Sequence, residues 1–127
     1  MNASIKPYSL TTSTAVKRIN LKLLSPKLSL EETKQFATDF GKAMVGIQPS
    51  SFEIHIDASS FQVVSKDLVS TLEDALKVYK QTGFKKVTVN CGDSVVLGSQ
   101  VLRLARSIQL NQLSTITKGV EKSAKLM

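Results

Sequence analysis

The chain has 127 residues, a mean hydropathy of +0.01 and a hydrophobic fraction of 42%, values typical of one globular domain with a substantial core. No apolar run approaches the roughly 20 residues that a membrane-spanning helix needs, and the first residues lack the basic-then-apolar pattern of a secretory signal. We therefore expect a cytoplasmic protein without a membrane partner. The single cysteine, Cys91, excludes an intramolecular disulfide and a cysteine-based metal cluster.

The formal net charge is +7, and it is unevenly distributed along the chain. Residues 1–30 contain five bases and no acid, whereas residues 31–60 contain two bases and five acids. A basic balance of this kind permits binding either to nucleic acid or to an acidic protein surface.

The first half of the chain contains a polar arm, a strand and a helix. Residues 1–14 are rich in Ser and Thr and predict a flexible N-terminal arm, in which a short edge strand is one alternative. The stretch "AVKRINLKLL" alternates between apolar and polar residues with the period of a half-buried strand. Ser29 and Glu32 then fit a capping box, which predicts a helix that ends near Gly46 and Pro49.

The second half repeats the strand and helix pattern twice. "SFEIHID" predicts a strand, and Ser65 is the expected N-cap of a helix over 66–82 that stops at Gly83. "FKKVTVNC" predicts another strand, followed by a helix capped by Asp93 or Ser94. "LSTIT" predicts a short last strand, and residues 118–127 predict a flexible basic tail, leaving 15–117 as a single domain.

The alternation of strands and helices predicts an α/β fold with two layers, a mostly parallel sheet of four to five strands and helices mainly on one face. Parallel strands covered on both faces are apolar throughout, but these strands are apolar on one side only. The other side is expected to form a polar face, built from Arg18, Asn20, Lys22, Glu53, His55, Asp57, Lys86, Thr88 and Asn90.

The chain resembles the STAS domain over residues 15–117 in the order and spacing of its elements. The stretches that carry the resemblance are "FEIHIDASS", "FKKVTVNC" and "SVVLGSQVLRLARSIQL". That family includes anti-sigma-factor antagonists and the cytoplasmic domains of sulfate transporters. The resemblance implies a non-catalytic, regulatory module of bacterial or phage origin that binds a partner protein or itself. It implies no cofactor and no small-molecule substrate.

The family's Asp-Ser-Ser-Gly phosphorylation motif is missing from this chain. Its four positions fall on Ser65, Lys66, Asp67 and Leu68, so the phosphoserine position holds Lys66 or Asp67. This departure puts control by a kinase partner in doubt. Ser65 has a sufficient role as a helix cap, and Asp67 in a first helical turn needs no further explanation.

Two sets of residues are candidates for binding. The partner-binding set joins the start of the second helix to the polar side of one strand, and it comprises Ser65, Lys66, Asp67, Glu53, His55 and Asp57. The alternative is a basic nucleic-acid-associated protein whose non-specific phosphate contacts come from Lys17, Arg18, Lys22, Lys85, Lys86, Arg103 and Arg106.

Neither set predicts an enzyme or a metal site. Glu53 and Asp57 lie about 7 Å from His55 along the strand, and no nucleophile motif or ligand cluster accompanies them. Cys91 is on the apolar side of its strand, where burial raises thiol pKa and blocks access. The polar face also lacks outward Phe and Tyr, which argues against the base stacking of single-strand RNA binders.

Overall fold

The computed structural model describes residues 7–61 and 64–125, which form an α/β fold with a six-stranded sheet and three α-helices. The strands are β1 (Tyr8–Ser13), β2 (Arg18–Leu23), β3 (Glu53–Asp57), β4 (Lys86–Asn90), β5 (Leu113–Thr117) and β6 (Val120–Ser123). The helices are α1 (Leu30–Met44), α2 (Lys66–Thr82) and α3 (Val95–Ser107), and a short 3-10 turn spans Pro49–Ser51.

The strands lie in the sheet in their order along the chain, from β1 to β6. The three inner pairings, β2–β3, β3–β4 and β4–β5, are parallel, whereas the outer pairings β1–β2 and β5–β6 are antiparallel. The prediction of a mostly parallel sheet with four to five strands was therefore wrong in strand number and in character: the sheet is mixed.

The two additional strands arise from tight turns at the ends of the predicted domain. Lys118 and Gly119 both have positive φ, at 51° and 76°, and such a two-residue turn matches the twist of a β-hairpin. The sheet thus extends into both terminal segments that were predicted as arm and tail, through β1 and β6. Residues 1–6 and 126–127 of those segments lie outside the described residues.

The helix boundaries follow the predicted caps. Ser29 and Glu32 form the reciprocal capping box of α1, with N···O distances of 2.8 and 3.1 Å. Ser65 Oγ accepts the Leu68 N–H at the start of α2, and Gly83 ends that helix in the left-handed conformation. Ser94, not Asp93, caps α3 by accepting the Leu97 N–H.

The core lies between the sheet and one layer of helices. Phe40 of α1 contacts Tyr79 of α2 with ring centroids 5.7 Å apart, and α2 packs beside α3. The strand side chains that point toward these helices are buried, namely Ile19, Leu21, Leu23, Ile54, Ile56, Val87, Val89 and Leu113. Alternation of side chains along each strand leaves the opposite face of the sheet without a described helix over it.

Candidate interaction surface

The polar side of the sheet, here called the open face, consists of three rows of side chains that cross the strands. One row runs Arg18, Glu53, Lys86 and the second runs Asn20, His55, Thr88, Ser114, Ser123. The third row runs Lys22, Asp57, Asn90, Ile116, Glu121. β1 adds Ser9, Thr11 and Ser13 at one end of the rows. The structure therefore brings the nine predicted polar-face residues together on one surface and extends it over six strands.

Charges on the open face alternate from strand to strand. β2 contributes Arg18 and Lys22, and the neighbouring β3 contributes Glu53 and Asp57 in direct register with them. Lys86 lies on the other side of Glu53. Opposite charges at directly opposed positions stabilise a sheet, so this pattern explains why so polar a surface is compatible with the fold.

His55 lies at the centre of the open face, with about a third of its side chain exposed. Its Nε2 is 3.3 Å from Glu53 Oε1. The expected separation of about 7 Å applies to the backbone positions, and the two side chains lean along the strand to meet. Asp57 does not join them, because its Oδ1 accepts hydrogen bonds from the N–H and the hydroxyl of Ser59. Of the two carboxylates that were predicted to flank His55, only Glu53 therefore meets it, and Asp57 closes a turn.

An ion pair crosses the far side of the open face. Lys86 Nζ lies 2.8 Å from Glu121 Oε2, which joins β4 to the edge strand β6 across β5. Hydrogen bonding to Lys86, and then to Ser114, lowers the pKa of the Glu121 carboxyl. Beneath these long side chains, Thr88 and Ser114 are buried although they point to the open face.

The predicted partner-binding residues at the start of α2 lie in the helix layer, on two different sides of that helix. Ser65 and Lys66 line a shallow groove of about 320 Å³ that also contains Val96 of α3. Asp67 lines a separate cavity of about 370 Å³ that includes Phe36 of α1 and Tyr79 of α2. The six residues of the predicted set therefore occupy three surfaces: the open face and the two sides of α2.

The seven bases of the alternative set do not share one surface either. Lys17, Arg18, Lys85 and Lys86 lie at the starts of β2 and β4, with Glu53 between Arg18 and Lys86. Lys22 is near the opposite end of β2, and Arg103 and Arg106 are exposed on α3 in the helix layer. A polyanion that follows the sheet would meet acidic groups among the bases.

The remaining candidate features are the Cys91 thiol, the side chains that could bind a metal ion, and the helices that could cross a membrane. Cys91 is 1% exposed, and burial raises the pKa of its thiol to about 11. Within residues 7–61 and 64–125, His, Cys, Asp and Glu side chains form no group of three or more suited to a metal ion. No helix in the described part of the chain has the length and apolarity to cross a membrane.

Besides the edge strand β6, two features were missed by sequence reasoning. The first is a groove of about 550 Å³ between α1 and β1, the strand that the sequence offered only as an alternative within the N-terminal arm. The second is the Tyr79 hydroxyl, which is buried without a hydrogen-bond partner. The Ser and Thr content of "YSLTTS" favoured a flexible arm over a strand in the prediction, since only Tyr8 and Leu10 in that stretch indicate a buried side.

Comparison of the chain with protein-family models, with curated proteins and with solved structures finds no match.

Proposed function

We propose that this protein is a non-catalytic interaction module of the STAS-like type, which binds a partner protein through the open face. The observation that carries the proposal is the one-sided sheet: six strands present rows of polar and charged side chains that no described helix covers. A sheet face of this size, with both signs of charge in fixed positions, suits recognition of another protein by complementary charge.

The arrangement of charge favours a protein over nucleic acid as the partner. Each described base of the open face, Arg18, Lys22 and Lys86, lies beside an acidic residue in the sheet or is paired with one. Nucleic-acid affinity depends on several phosphates meeting uncompensated bases. The open face instead carries basic and acidic side chains next to each other, and a protein surface with the complementary arrangement of charges can match it.

The test is affinity capture from the lysate of the source cell, with and without nuclease, using three charge variants. His55→Arg places a bulky positive group at the centre of the open face without touching the core. Asp67→Arg alters the start of α2, where the sequence also predicted contact. Gln81→Arg is the control, because Gln81 is exposed on α2 in the helix layer.

We expect a discrete protein that survives nuclease, is lost with His55→Arg and is retained with Gln81→Arg. Loss with Asp67→Arg alone would transfer the site to the start of α2. Capture that is unchanged by all three variants would contradict both surfaces, and capture that disappears with nuclease would establish nucleic acid as the partner. Circular dichroism of each variant checks that the fold is intact.

A further inference from the structure

The open face carries charges of opposite sign on two neighbouring strands. β2 presents Arg18 and Lys22, and β3 presents Glu53 and Asp57 at the positions directly opposite them in the sheet. The line between β2 and β3, here called the seam, therefore separates a basic strand from an acidic one. Each charge on one side of the seam has a charge of opposite sign at the same height on the other side.

The charges of these two strands do not form ion pairs with each other within one copy of the chain. In the part of the chain that the structure describes, the ion pairs of the open face join His55 to Glu53 along β3 and Lys86 to Glu121 between β4 and β6. No described carboxylate lies within salt-bridge distance of the two bases of β2. Both bases are therefore available to carboxylates of another molecule.

Two copies of the chain can bring their open faces together in two simple ways, each with a two-fold axis that lies between the sheets. An axis that follows the seam places β2 of one copy over β3 of the other and keeps the height of each residue. Arg18 of one copy then faces Glu53 of the other, and Lys22 faces Asp57. An axis across the strands instead places Arg18 against Lys22 and Glu53 against Asp57, so that like charges meet. Charge therefore selects the axis along the seam.

We propose that the open face binds the open face of a second copy of this chain, with the two-fold axis along the seam. The proposal rests on the interaction function proposed above and names the partner of that surface. A two-fold contact uses the same patch of both copies, so each of the two charge matches occurs twice and four ion pairs cross the interface. Sheets that pack face to face keep their strands within about 30° of each other, which lets residues near the axis meet in this way.

Other positions of the axis lose these matches. With the axis between β3 and β4, Lys22 would face the apolar Ile116, and Glu53 would face Lys86, which already binds Glu121. With the axis between β1 and β2, β3 would face no described strand. A different protein would have to present the complementary pair of strands independently, whereas a second copy carries that pair by symmetry.

The size and chemistry of the contact predict a weak dimer. The strands that overlap, β1 to β4, cover about 19 Å by 17 Å, which is small for a specific interface. Exposed ion pairs contribute little individually, and the aliphatic parts of the long side chains add some apolar contact. We therefore expect a dissociation constant of about 10–100 µM at low ionic strength, and weaker association in high salt.

Sedimentation equilibrium of the full-length chain, from about 1 to 500 µM, tests this association. Lys22→Glu should raise the dissociation constant by about tenfold or more, because the introduced carboxylate faces Asp57 of the other copy. Lys34→Glu is the matched control, since Lys34 is exposed on α1 in the helix layer, and it should have little effect. A chain that stays monomeric, or equal effects of the two variants, would overturn the proposal.

Exchange of charge between two variants tests how the copies are aligned. Lys22→Glu makes both strands acidic at this height, and Asp57→Lys makes both basic, so each variant alone should be monomeric. An equal mixture should form a heterodimer, because every acid at this height then faces a base. Absence of the heterodimer from a mixture of folded variants would overturn this arrangement. So would a dimer that Lys22→Glu strengthens, since the introduced acid would then face Arg18.

Asp57→Asn separates the charge of Asp57 from its structural role. Asp57 Oδ1 accepts hydrogen bonds from the N–H and the hydroxyl of Ser59, and an asparagine oxygen can accept the same bonds. We expect an unchanged circular dichroism spectrum and a dissociation constant raised about threefold. An unchanged dissociation constant would contradict the contact. If Asp57→Lys does not fold, Arg18→Glu mixed with Glu53→Lys makes the same exchange in the other row.

Dimer formation and capture from the lysate distinguish this proposal from the open-face function. A monomeric chain that captures another protein through His55 would leave the open face standing and remove the second copy as its partner. A dimer that follows the charge exchange, with capture of another protein unchanged by His55→Arg, would leave the second copy standing and remove the open face as the site for that protein.

Discussion

Ile54 and His55 are neighbours on β3, yet they belong to regions of opposite character. Ile54 is fully buried against the helix layer, whereas His55 is partly exposed at the centre of the open face. The same contrast repeats along β2, where Leu21 is buried and Lys22 is exposed. The comparison teaches that one face of the sheet contributes most to stability, because among the described residues the helices pack on that face and leave the open face in contact with solvent.

The largest predicted effect is the difference between these two neighbouring positions in how much an alanine substitution lowers the free energy of unfolding. Ile54→Ala should lower the free energy of unfolding by about 2–5 kcal/mol, because it leaves a cavity in the core. His55→Ala should change it by less than about 0.5 kcal/mol. Urea unfolding of both variants measures the difference, and comparable losses would mean that the open face is covered in the folded protein.

Tyr79→Phe tests a buried polar group on the face of the sheet that the described helices cover. The Tyr79 hydroxyl is buried without a partner, and burial holds the pKa of the phenol well above its usual range. An unpaired buried hydroxyl destabilises, so its removal should raise the free energy of unfolding by about 1 kcal/mol. A loss of stability in Tyr79→Phe would reveal a bonded partner, such as a buried water, for that hydroxyl.

Ser65→Ala addresses the helix that covers the centre of the sheet. Loss of the bond from the Leu68 N–H should cost about 1 kcal/mol, and Ser65→Asp should retain most of it because aspartate also caps helices. Ser94→Ala is the matched control, since Ser94 caps α3 in the same way. If Ser65→Ala abolished partner capture while Ser94→Ala did not, Ser65 would act as more than a cap.

The smallest effect concerns the ion pair on the open face. Because Lys86 lowers the pKa of Glu121 in the folded state, its contribution to stability is present above the ordinary glutamate pKa. That contribution is lost as the pH falls through the lowered pKa. Glu121→Gln should therefore flatten the acid side of the stability profile slightly, and the difference should shrink in high salt. A loss of stability in Glu121→Gln that persists below the lowered pKa, or that does not shrink in high salt, would assign Glu121 another role.

Local signals in the sequence predicted most of the elements because each depends on neighbouring residues. The capping box of Ser29 and Glu32, the Ser65 cap and Gly83 fixed the ends of α1 and α2. Period-two alternation fixed which side of β2 and β3 is buried. β6 was not predicted, because all four of its residues are exposed and the strand therefore lacks an apolar side. The turn at Lys118 and Gly119 is its local signal.

The candidate sites depend on the tertiary structure more than the helices and strands do. The sequence by itself determined that Glu53, His55 and Asp57 share a polar side, since strand geometry alone places alternate residues together. Only the tertiary structure decided that Asp57 turns to Ser59 and that Ser65 and Asp67 lie on different sides of α2. Only packing of α1 beside β1 created the groove at the edge of the sheet, because its walls come from segments about 30 residues apart whose contact no local pattern encodes.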